Sequence, residues 1–170
     1  MADDVDALLG IAEIAGVFVG FAALVTVVAR GSGDQFRDER VFTLAHIVIL
    51  SVMIIAAALL PVVLVRYGLP KPTVWRVSSG FLYAVNLLQI LILNRWTVGY
   101  ATAFSRKQAL SLTILSLSPF FHIPLLLCIF GVLQDLAPAF FLTAIVATMF
   151  QVTLFFAYFV IRMLAPEESA

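Results

Sequence analysis

The stretch VFTLAHIVILSVMIIAAALLPVVLV, residues 41–65, runs for 25 residues without one Asp, Glu, Lys or Arg. A helix needs about 20 mostly apolar residues to cross a hydrocarbon core about 30 Å thick. Lipid offers no partner to backbone amides, so a segment this apolar satisfies them internally, as a helix. The same criterion marks 7–29, 77–94, 109–134 and 136–161. Five spans are expected, with four as the alternative, because the third apolar run covers only 18 residues.

Composition points the same way. The chain has 170 residues, 63% hydrophobic and 12% charged, with a mean hydropathy of +1.11; soluble proteins carry about a quarter charged residues. The expected fold is all-α: a polytopic transmembrane helix bundle, residues 1–170 forming one membrane domain without a soluble domain. Ten basic residues balance ten acidic ones, so no charge excess argues for nucleic acid as a partner. Cys128 is the sole cysteine, which excludes an internal disulfide.

The links are short. RGSGDQFRDER (30–40) offers Asp34 as an N-cap, RYGLPKPTVWR (66–76) carries Pro70 and Pro72 as helix breakers, and DLAP (135–138) makes a tight hairpin. Trp75, Arg76, Asn94, Arg95 and Trp96 flank the third run as interfacial residues. The leader of the first run holds Asp3, Asp4 and Asp6 and no cation, and the run is longer than a signal peptide's, so it is expected to stay attached and span. Five spans put Arg30, Arg37, Arg40, Arg95, Arg106, Lys107 and Arg162 on one side and Arg66, Lys71 and Arg76 on the other. Basic loops stay cytoplasmic. The expected topology in a plasma (inner) membrane has the N-terminus outside and the C-terminus cytoplasmic.

Within IAEIAGVFVGF (11–21), Glu13 is the one ionisable group, and it is the only Asp, Glu, Lys or Arg inside any of the five apolar runs. The twelve Leu, Ile, Val and Phe residues of 7–29 contribute roughly −4 to −7 kcal/mol to insertion, against roughly +3 for one central acid. The helix therefore inserts despite the charge. At 100° per residue Glu13 shares a face with Gly10, Gly16, Val17, Gly20 and Leu24. Gly16 and Gly20 form a small-xxx-small motif, which allows close helix packing, so Glu13 is expected to point into a helix interface.

Depth supplies a candidate partner. With 1.5 Å per residue, Glu13 and His122 both fall roughly 9 to 10 Å below the outer boundary, near Thr143. Asn86 and Gln89 fall at roughly 14 to 18 Å, and His46 with Gln151 at roughly 22 Å. His122 lies in SPFFHIP, between Pro119 and Pro124, which are expected to kink the fourth helix and free carbonyls beside the imidazole. His46, near the inner end of its span, is expected to reach toward the interface, and Asn86, Gln89 and Gln151 to bond to neighbouring helices.

Two functions follow. One is an ion or proton channel or small transporter, with Glu13 and His122 as a buried pair and Asn86, Gln89, His46 and Gln151 along the pathway. The other is a non-catalytic structural or accessory subunit of a larger membrane complex. Five helices leave little room for a central path, so a homo-oligomer or larger complex is the expected form in the lipid bilayer. An enzyme is not expected: GxxxxGK, HExxH, CxxC and GxSxG are all absent. No cofactor or metal site is expected either, since His46 and His122 differ by roughly 12 Å in depth, too far for one haem iron.

The topology is checked with a membrane-impermeant thiol reagent in a Cys128→Ala background. Ala2→Cys should be labelled from outside intact cells, and Ser169→Cys only after permeabilisation. The reverse pattern would invert every depth above.

Overall fold

The structure is a computed structural model that describes residues 2–31, 38–99, 119–132 and 134–164. All regular structure among them is helical: α1 (Ala2–Gly31), α2 (Asp38–Arg66), α3 (Lys71–Gly99), α4 (Pro119–Ile129), a 3-10 turn (Gln134–Leu136) and α5 (Ala137–Leu164). Among the described residues three stretches are long and apolar enough to cross a membrane: Asp4–Val27, Leu44–Arg66 and Gln134–Ile161. They match the first, second and fifth expected spans. The third expected span lies in α3, of which the side chains are described only in part beyond Gln89, and only 119–132 and Gln134 of the fourth lie within the described chain. Asp34 also lies outside it.

Helix ends differ from expectation in instructive ways. Pro72 does not break a helix; it sits in the first turn of α3, where a missing N–H costs nothing. The amides of Thr73 and Val74 bond back to the carbonyl of Pro70, at 2.9 and 3.1 Å. The helix thus starts six residues before the apolar run. Trp75 is consequently a core residue instead of an interfacial one, 5% exposed with its ring 5.7 Å from that of Phe141.

Both α2 and α4 end in Schellman motifs. The Leu69 amide reaches back to the Leu64 carbonyl (3.3 Å) and that of Gly68 to Val65 (2.9 Å); Val132 bonds to Leu127 (2.9 Å) and Gly131 to Cys128 (3.1 Å). The motif requires a left-handed residue after the helix, and Gly68 and Gly131 supply it with φ of 77° and 73°.

Direction follows from chain reach. Six residues, 32–37, separate α1 from α2 and four, 67–70, separate α2 from α3. Links that short span at most about 25 Å, whereas helices of 29 residues are about 43 Å long. Neighbours that pack along their length must therefore be antiparallel. Trp75 of α3 meets Phe141 of α5, and His46 of α2 meets both Gln89 of α3 and Phe155 of α5. Residues of α3 and α5 thus pair at a constant offset, and the two helices run parallel.

α2, α3 and α5 form the centre. α1 packs chiefly on α2 and more lightly on α5, while α4 packs on α3 and α5. Leu8, Ala15 and Ala22, spaced by seven residues, are the buried side chains of α1, and Phe18 and Phe21 stand edge-on to Phe156 with centroids 5.5 Å away. The outer surface is apolar: Val17, Leu24, Leu91, Phe150 and Ile161 are each more than half exposed. Lipid solvates such side chains as well as a protein core does.

Gly131→Ala should be the costlier of two matched substitutions. At Gly68 an added Cβ meets nothing within 4 Å, while at Gly131 it runs into the Arg76 guanidinium and Gln134. Gly68→Ala should lose about 1–2 kcal/mol for the left-handed backbone alone, and Gly131→Ala measurably more, in detergent-induced unfolding of each variant. Equal losses would show that Arg76 yields freely.

Candidate functional site: the polar interior along α3

α3 presents one continuous inner stripe: Trp75, Ser78, Ser79, Leu82, Val85, Asn86 and Gln89 are all buried. The spacing of three and four residues is that of one helix face. Four of the eight buried polar residues among the described residues belong to it; Ser51 and His46 come from α2, and Thr148 and Gln151 from α5. A helix whose polar groups share one face must turn that face away from lipid.

The best-defined contact joins α2 to α3. The Nε2 atoms of Gln89 and His46 lie 3.4 Å apart, and the Phe155 ring of α5 stands edge-on to the imidazole with centroids 4.5 Å apart. His46 is 6% exposed. It does not reach toward the membrane interface, as its position near the end of a span had suggested; the faces of three helices enclose it instead. Beside it a cleft of about 40 Å³ opens between α2 and α3, lined by His46, Leu50, Met53, Val85, Leu88 and Gln89. Most of its lining is apolar, and it opens on the outer surface at Ile49 and Leu88.

Gln151 and Asn86 complete the layer above. By the offset that pairs α3 with α5, Gln151 stands level with Val85 and Asn86, one turn from the His46 contact. The amide nitrogens of both side chains are buried without a hydrogen-bond partner, as are the hydroxyls of Ser51 and Ser78, whereas Ser79 lies in hydrogen-bond reach of Cys128. Threonines behave differently. The hydroxyls of Thr26, Thr143, Thr148 and Thr153 each donate to the carbonyl four residues earlier, at 2.8 to 3.1 Å. This internal bond makes Thr143 self-sufficient on its exposed position.

His122 is half-buried on α4 and stands edge-on to Tyr83 of α3, with ring centroids 5.5 Å apart. Tyr83 and Gln89 are six residues apart, so the two histidines occupy rungs of α3 separated by about 9 Å. The helix continues through Pro124 to Ile129, and Pro119 is the first described residue of α4. Pro124 withholds the amide that Phe120 would otherwise accept from. Cys128 Sγ contacts the Ala137 carbonyl at 3.5 Å, tying the end of α4 to the start of α5.

The buried Glu13–His122 pair is not formed. Glu13 is exposed on the outer face of α1, as are Val17, Gly20 and Leu24, and an added Cβ at Gly10, Gly16 or Gly20 meets nothing within 4 Å. Among the described residues this face contacts no helix, and α1 docks through the opposite one. Phe18 and Phe21 flank Phe156, so Glu13 lies level with about residues 148–151 of α5, where the same offset places Tyr83 and hence His122. The two groups have the same height and different azimuths.

Ser51, Ser78, Ser79 and Thr148 were not singled out from the sequence. The signal was there: Ser78, Ser79, Asn86 and Gln89 recur at helical spacing and would have marked one inner face of α3. Among the described residues no three His, Cys, Asp or Glu side chains group as a metal site. No protein family, curated protein or solved structure matches this chain.

The His46–Gln89 contact should show coupling. In a double-mutant cycle of Gln89→Leu and His46→Phe, unfolding free energies should be non-additive by about 0.6 kcal/mol, with about 1.7 as the upper range for such pairs in membranes. Additivity would mean that the two side chains are neighbours without a bond.

Proposed function

We propose that the chain is a small non-catalytic membrane subunit that works in an assembly, and that a second copy meets the outer face of α1. The observation that carries this reading is Glu13, exposed on a face whose glycines have open space above them. A carboxyl group facing acyl chains is poorly solvated, and a neighbouring helix relieves it. Gly16 and Gly20 allow that helix to come close. Two-fold association is the commonest closed arrangement and sets each residue near its equivalent. Glu13 would then lie beside its equivalent on the neighbouring helix.

A second reading is an ion or proton conduit or small transporter. The buried series His46, Gln89, Asn86 and Gln151 supports it, as does the common depth of Glu13 and His122. Because Glu13 faces outward, its part in such a path would run along the seam between copies and not between Glu13 and His122 of one chain.

Association and transport are separable by experiment. Energy transfer between labelled copies in liposomes should fall by roughly five- to thirtyfold in association constant for Glu13→Leu, equivalent to about 1–2 kcal/mol for one interhelical hydrogen bond. Gly16→Ile should weaken it through bulk, whereas Glu13→Gln, still able to hydrogen-bond, should retain most of it. Full association of Glu13→Leu and Gly16→Ile would exclude this face. Proton or cation flux in the same liposomes, lost in Glu13→Gln while association persists, would favour the conduit over the structural subunit.

A further inference from the structure

We infer that an ordered water molecule sits between Asn86 of α3 and Gln151 of α5, its oxygen accepting hydrogen bonds from both carboxamide groups. Asn86 is 5% and Gln151 2% exposed, and the nitrogen of each is fully enclosed without an acceptor. Each such nitrogen carries two donors, and buried donors are nearly always satisfied by protein or by water. The two side chains stand at one level, on neighbouring helices.

The chemistry selects a neutral ligand. Residues 44–65, 77–91 and 137–161, the parts of α2, α3 and α5 that surround this layer, contain no Asp, Glu, Lys or Arg. An anion would satisfy the two donors but would be buried without a counter-charge, which is prohibitively costly. A cation would be repelled by the N–H groups that face it. Water can accept one hydrogen bond from each carboxamide, and a buried water typically makes about three in all. This inference is independent of how copies associate.

Infrared spectroscopy of the full chain in partly dried bilayer films tests it. Exchange from ordinary to oxygen-18 water should shift a sharp O–H stretching band of wild-type protein. That band should disappear in Gln151→Met, which replaces the amide with a chain of similar length, and in Asn86→Leu. Should Asn86→Leu fail to fold, Gln151→Met and the wild-type spectrum still decide the matter. In the double variant, stability losses should be non-additive by about twofold or more in the unfolding constant. No isotope-sensitive band, or a band unchanged in Gln151→Met, would overturn the assignment. Stability that depends on chloride rather than on water would overturn it in favour of an anion.

Discussion

Helices in a bilayer gain little from burying leucine, since acyl chains solvate it equally well; close packing and polar groups that lipid cannot satisfy hold them together. The inner stripe of α3 is where this constraint acts most strongly here. Ser78, Ser79, Asn86 and Gln89 must be withdrawn from lipid, and α2, α4 and α5 gather around the helix that carries them. His46 contributes from α2 and Gln151 from α5. The aromatic contacts of Trp75 with Phe141 and of His46 with Phe155 then hold one register at both ends of the layer.

α1 is the exception to this arrangement. No polar residue among the described side chains of α1 is buried, and 22% of its spanning window is buried, against 39% in α2 and 41% in the last span. Small residues, Ala15 and Ala22, let it lie close to α2, with Leu8 and Phe18 filling the remaining space. Its one ionisable mid-span residue faces outward. A peripheral helix with a polar group and glycines on its free side is shaped for a contact that a single chain does not supply, which links the fold to the proposed assembly.

Glu13 shows how far pattern reading carries in a membrane protein. Its depth was legible, because the rise per residue is constant and the bilayer thickness fixes the ends. Its facing was not legible: a GxxxG pattern says that a helix can approach and does not say from which molecule. The same ambiguity affected His46, where nearness to a helix end suggested hydration, but Gln89 and Phe155 from two other helices close over the ring.

The amino-acid order alone determined that the chain is membrane-embedded and helical, because uninterrupted apolar length leaves the backbone no other way to satisfy its hydrogen bonds. It also marked the 66–76 link, where Gly68 and Pro70 act locally, but it placed the last turn at DLAP, whereas α4 already ends at Ile129 with Gly131 in left-handed backbone and Ala137 opens α5. Tertiary structure alone decided which polar groups meet. Azimuth around a helix axis depends on the packing of all neighbours at once, so it brought Gln89 to His46 and Tyr83 to His122 and left Glu13 facing away from both.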